Sequence, residues 1–122
     1  MSYKIQLIEE NQIVAVTYIG DISLDVRLSA VHDICSNYNQ FKFYKLLIDS
    51  RQASQQMSKN EQIIFGRYLA EREEFRNALV ATLSTSDNTI NKVIVKEASS
   101  LGYQISCFDN KQQAVNWLKG AT

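Results

Sequence analysis

The sequence predicts an α/β protein: a single-domain mixed, mainly parallel sheet of about five strands with four helices, in the order ββαβαβαβα. Three observations lead there. Two short runs, 44–48 (YKLLI) and 78–83 (ALVATL), are apolar without alternation, as strands covered on both faces are. Around them lie stretches whose apolar residues recur at helical spacing, and strands separated by helices of that length pair in parallel through right-handed crossovers. Finally, 122 residues with no repeat, linker or proline form one domain, 1–122, large enough to bury a core without disulfides or metal.

Taken in order, residues 3–9 alternate, with Ile5 and Leu7 on one face and Lys4 and Gln6 on the other, the pattern of an edge strand. Glu10-Asn11 makes a tight reversal into 12–19 (QIVAVTYI), which is richer in β-branched residues and belongs further inside the sheet. Gly20-Asp21 ends that strand. Ser23 is an N-cap for a helix to about Asn37, with Leu24, Leu28, Val31, Cys35 and Tyr38 as its apolar stripe. The strand 44–48 ends in Asp49-Ser50-Arg51, and a polar turn, 51–56, follows. Ser58-Lys59-Asn60-Glu61 then reads as a capping box that starts a helix at Lys59. Its core stripe is Ile64, Phe65, Tyr68, Leu69 and Phe75, with Ile63, Gly66 and Ala70 on a different face. After the strand 78–83, the turn Ser84-Thr85-Ser86-Asp87 caps a helix that points Ile90, Val93, Ile94, Ala98 and Leu101 inward, and Gly102 sits where a C′ glycine belongs. Residues 103–108 are the last strand. Asp109 caps a closing helix with Ala114, Trp117 and Leu118 inward, ended by Gly120.

Thirteen basic residues balance thirteen acidic ones and neither sign forms a run, which leaves no footprint for nucleic acid or an anionic membrane. The first residues lack the layout of a signal peptide, and no apolar stretch approaches the ~20 residues of a membrane span, so a cytoplasmic protein without a transmembrane segment is expected. Cys35 and Cys107 read as free buried thiols. One histidine and no Cys/His cluster point to no metal and no cofactor.

Four places carry chemistry worth weighing. His32 and Cys35 stand three apart on one helix, but Cys35 lies mid-stripe, so catalysis there is not expected. Ser50 and Arg51, with Ser84, Thr85 and Ser86, fall at the carboxyl ends of two central strands, where open α/β sheets hold ligands; a small anion would fit, and a structural pairing of Arg51 with an aspartate is the plainer reading. A phosphoryl group on Ser58 would face the unpaired N–H groups of a helix start, although the cap alone explains the serine. Ile63, Gly66, Arg67, Ala70 and Glu71 form a candidate partner surface, with Gly66 suiting close approach by another element or chain.

The element order from Tyr3 to Lys119, with a strand ending in Asp49 and a helix capped by Ser58, resembles the SpoIIAA-like superfamily, which joins STAS domains to small bacterial STAS/SEC14-like proteins. In anti-sigma factor antagonists an Asp-Ser-Ser-Gly signature at this helix start carries the phosphorylated serine. Here the place reads Gln56-Met57-Ser58-Lys59 and retains only Ser58. The resemblance therefore favours the uncharacterised STAS/SEC14-like branch. It implies a non-enzymatic cytoplasmic regulatory or interaction module that contacts another protein, or a second copy of itself, along the helix starting near Ser58. The alternative it implies is a SEC14-like binder of a lipid or other apolar small molecule, lined by Tyr38, Phe41, Phe43, Phe65, Tyr68 and Phe75.

Overall fold

The computed structural model describes residues 2–85 and 90–120. The chain forms β1 (Tyr3–Ile8), β2 (Ile13–Ile22), α1 (Leu24–Asn37), β3 (Lys45–Gln55), α2 (Lys59–Glu71), a 3-10 turn (Glu73–Phe75), β4 (Leu79–Leu83), α3 (Lys92–Ser100), β5 (Ile105–Phe108) and α4 (Lys111–Gly120). The ββαβαβαβα order and the five-stranded mixed sheet are as the sequence predicts. The strands lie in the order β1-β2-β3-β4-β5, β1 antiparallel to β2 and every other pair parallel. Leu46 stands opposite Val80 on one side and Val14 on the other, so the apolar runs do occupy the middle of the sheet.

Because the strand order advances in one direction, successive right-handed crossovers all fall on the same face. Helices α1, α2 and α3 therefore share one core with Val14, Val16, Tyr18, Leu46, Val80 and Ile105. The alternate residues Ile13, Ala15, Leu47, Ala81 and Leu83 point the other way, where α4 alone covers them with Ala114, Val115 and Leu118. Burial on both faces explains why the central strands read as continuous apolar runs.

Several local expectations differ. Strand β3 does not stop at Ile48: the polar stretch 51–56 is mostly strand, paired with β2 but past the end of β4, whose last partner is Leu83 opposite Asp49. With one neighbour lost, that half of β3 needs little apolar content. The β2–β3 ladder also slips, Thr17 facing Asp49 and Ile19 facing Gln52, so β3 carries one extra residue in the Ser50–Arg51 segment. On α1 the buried set is Arg27, Ala30, Val31 and Ile34, a quarter-turn from the expected stripe, leaving Leu24, Leu28, Cys35 and Tyr38 half-buried. On α2, Phe65 and Leu69 are buried but Ile64 is 56% exposed, and Phe75 is buried in the separate 3-10 turn. Helix α3 starts at Lys92 after an Asn91 N-cap, later than the cap read at Ser84-Thr85-Ser86-Asp87, of which Ser86 and Asp87 lie outside the described residues; Ile90 is buried ahead of it and Leu101, at its far end, is 50% exposed. Cys107 is exposed rather than buried, on an edge strand, and both thiols are free.

Other details hold. Ser58 Oγ accepts from Glu61 N at 3.1 Å while Glu61 Oε1 accepts from Ser58 N at 2.8 Å, closing the capping box. Gly102 has φ +86° at the end of α3. Among the described residues, no helix is long and apolar enough to cross a membrane.

Candidate functional site

The helix that begins at Ser58 is fastened before it starts. Met57 is buried, its N–H donates to Gln55 Oε1 at 3.2 Å, and Gln62 Nε2 donates to its carbonyl at 3.1 Å. Gln55 Nε2 in turn donates to the Ile90 carbonyl at 2.6 Å, tying the α2 entry to the α3 entry. Ser58, Lys59 and Asn60 are exposed on this anchored base. Along α2, Asn60, Ile64, Arg67 and Glu71 stand at i, i+4, i+7 and i+11, and all four are exposed, forming one outward stripe with Ile64 at its centre. The predicted partner surface divides accordingly. Arg67 and Glu71 lie on the stripe, Ile63 and Ala70 are half-buried on its flanks, and Gly66 is buried against α3. A Cβ on Gly66 would stand 2.8 Å from the Ile94 carbonyl oxygen and 3.0 Å from Glu97 Cβ, so the close approach the glycine permits is an intramolecular one. Arg67 Nε also donates to Glu97 Oε2 of α3 at 2.9 Å.

Among the described residues, those of the anion site read at the strand ends do not converge on one point. Arg51 makes a two-pronged pairing with Asp49, Nε to Oδ1 at 3.0 Å and Nη2 to Oδ2 at 2.9 Å. Partial burial works against the charged Asp49 carboxyl, but the Arg51 hydrogen bonds hold it below the usual carboxylate range. Ser50 is fully buried at 0% exposure and faces the opposite side, toward α1 and α3. Ser84 and Thr85 border a shallow groove with Lys92, Cys107, Phe108, Asp109 and Gln113, and Ser86 lies outside the described residues. His32 is exposed and Cys35 half-buried. Of the aromatics expected to line an apolar pocket, Phe65 and Phe75 border one cavity, Tyr38 lines a separate surface pocket with Tyr3 and Ile5, and Phe43 is 54% exposed.

What sequence reasoning missed is a buried polar chain. Ser50 Oγ accepts from Asn91 Nδ2 at 3.0 Å, and Asn91 Oδ1 accepts from Arg27 Nη2 at 2.8 Å. The Arg27 guanidinium, 2% exposed, lies 5.1 Å from the Tyr18 ring centroid and 5.6 Å from that of Phe65. Burial lowers the Arg27 pKa, with the neighbouring Tyr18 acting against it; burial likewise pushes the Tyr18 phenol up to about 12 although Arg27 pulls it down. Asn91 is the N-cap of α3, yet its side chain makes no capping bond because it is spent on Arg27 and Ser50. A signal was present. An arginine three residues into an amphipathic helix, on the side of Ala30, Val31 and Ile34, marks a polar group facing the core.

The chain matches no protein-family model, and the search of curated proteins found no match. Solved structures do. An uncharacterised protein with a SpoIIAA-like fold from Shewanella loihica PV-4 is 16% identical at a TM-score of 0.62, over 95% of this chain and 91% of that one. The anti-sigma factor antagonist SpoIIAA in its unphosphorylated form is 15% identical at a TM-score of 0.62, over 98% of both chains. The Bacillus cell fate determinant SpoIIAA in its phosphorylated form is 15% identical at 0.58, over 95% of this chain and 98% of that one. With an antiparallel β1–β2 pair leading a parallel sheet, three helices on one face and one on the other, and these likenesses over nearly its whole length, the chain has the SpoIIAA-like fold.

Proposed function

We propose that the protein is a non-enzymatic regulatory module of the STAS kind that acts by contacting another protein along the outward side of α2. The observation that carries this reading is Ile64, a large aliphatic side chain left 56% exposed in the centre of the Asn60, Ile64, Arg67, Glu71 stripe. An apolar residue ringed by polar ones at helical spacing is the form a helix takes when it docks on a partner. One structure similar in fold is named as an anti-sigma factor antagonist, which supports a regulatory role without naming a partner for this chain. The capped and doubly fastened start of α2 supports it too, since a rigid helix loses little conformational freedom on docking.

Ser58 is the proposed point of control. Its side chain is exposed, and a phosphoryl group there would meet the free N–H groups of the first turn. The alternative, binding of a lipid or another extended apolar molecule, has little room: the cavity bordered by Phe65 and Phe75 holds about 30 Å³. That is space for one or two waters, not an acyl chain.

The test is affinity capture with the tagged protein followed by intact-mass analysis of what co-elutes. A stoichiometric partner, or a defined dimer, that is lost in Ile64→Asp and kept in Lys96→Ala on α3 is expected. Capture of the same partner by Ile64→Asp in equal yield would overturn the α2 assignment.

A further inference from the structure

A groove of about 530 Å³ lies between the first half of β1 and the second half of α1. Small-molecule sites commonly measure roughly 300–1,000 Å³, so this one has room for a ligand. Its walls follow from the periods of the two elements: Tyr3 and Ile5 alternate on β1 and share a face, while Asp33 and Asn37 stand i, i+4 on α1. Tyr38, the C-cap of α1, extends the helix side, and Ile19 of β2, 38% exposed, adds an aliphatic wall.

The polar groups of this groove are held in place. Tyr3, 9% exposed, donates its hydroxyl proton to Asp33 Oδ2 and accepts one from Ser29 Oγ at 2.9 Å. Burial, and then the bond to Asp33, raise the Tyr3 pKa, so the phenol keeps its proton and the charge stays on the carboxylate. A carboxylate can accept about four hydrogen bonds, and one phenol uses only one of them. Tyr38 is pinned as well, its hydroxyl donating to the Ile5 carbonyl at 3.3 Å. Lys4 also borders the groove, but strand alternation sets it with Gln6 and Thr17 on the opposite face of the sheet, around a separate depression.

An oriented carboxylate among tyrosine rings and aliphatic side chains selects a cation with an apolar body. The rings attract positive charge through their quadrupoles, and hydrocarbon that displaces water strengthens the pairing with the carboxylate. An anion would be repelled by Asp33, and a neutral apolar compound would leave the carboxylate and the Asn37 amide unanswered. We propose that the β1–α1 groove binds a small organic ammonium, its N–H groups on Asp33 and the Asn37 amide oxygen and its hydrocarbon against Tyr38, Ile5 and Ile19. The site shares no residue with the docking stripe on α2, so either can fail without the other.

The probe is 2-phenylethylammonium chloride, titrated at constant ionic strength into ¹⁵N-labelled protein while the backbone amides of Ile5, Asp33 and Asn37 are followed. Its neutral counterpart, 2-phenylethanol, has the same ring and chain and serves as the comparison. Saturable shifts of those amides are expected, with half-saturation at a concentration about tenfold lower for the amine than for the alcohol. Asp33→Asn keeps an acceptor for the Tyr3 hydroxyl and removes the charge. It should raise the half-saturation of the amine to that of the alcohol and leave the alcohol unchanged. Should Asp33→Asn fail to fold, or lose the alcohol too, the ratio of amine to alcohol in the wild type decides. Amides that the amine leaves unmoved, an alcohol that saturates them equally well, or Asp33→Asn that binds the amine as the wild type does overturns the proposal.

Discussion

At the scale of single residues, the structure separates polar groups that are matched from those that are not. Ser58 and Glu61 match each other within one turn, legible from spacing alone, and Arg51 matches Asp49 two residues away, where the sequence pointed to an aspartate without saying which. Arg27, Asn91 and Ser50 are matched across 64 and 41 positions of sequence, which no local pattern can announce. Tyr103 is the opposite case: its hydroxyl is buried with no partner among the described residues, and burial raises its pKa. Desolvating an unpaired hydroxyl costs about 1–3 kcal/mol. Tyr103→Phe keeps the ring in the core and removes only that oxygen, so it should raise stability by roughly 1 kcal/mol in urea unfolding at unchanged m-value. A loss of stability would show that the hydroxyl is satisfied after all.

Among the elements, helix phases were harder to read than helix positions. Helices α1, α2 and α4 form close to where their caps and spacing place them and α3 starts later, but α1 and α2 turn different residues inward than expected. The reason is that each helix carries more apolar and near-apolar residues than one face can bury, and the neighbour decides which are used. On α2 that neighbour is α3, and Gly66 is where their backbones come closest. Gly66→Ala would gain up to about 1 kcal/mol of helix propensity. Against that, its methyl would meet the Ile94 carbonyl at 2.8 Å, a backbone atom that cannot swing aside. Overpacking of this kind costs about 1–3 kcal/mol, so a net loss of roughly 1 kcal/mol is expected by thermal or urea unfolding. The exposed position of Ile64 follows from the same neighbour, since α3 draws Phe65, Gly66 and Leu69 inward and turns residue 64 out.

For the whole molecule, what was legible was the order of strands and helices and the central place of β3 and β4, because those depend on runs of residues and on the handedness of crossovers. The unequal covering of the two faces was not, since it depends on the order of strands in space. With three helices on one side, α4 alone shields Leu47, Ala81 and Leu83. Truncation after Asp109 should therefore abolish the cooperative unfolding transition and produce strong binding of a hydrophobic dye, whereas substitutions at the exposed Gln112 or Asn116 should change neither. A truncated chain that still melts sharply would show that the core on the α1–α3 side folds alone.

The additional residue in β3 also sets a phase. Before it, Leu46, Ile48 and Ser50 look toward α1 and α3; after it, Ala53 and Gln55 do. Counting by twos straight through would turn Ala53 and Gln55 outward and release the Ile90 carbonyl; the bulge absorbs the additional residue and keeps both facing in. A chain lacking residue 51 would reach the same phase through an unbroken ladder. The irregularity therefore lets the strand carry one more residue without disturbing the tie between the entries of α2 and α3.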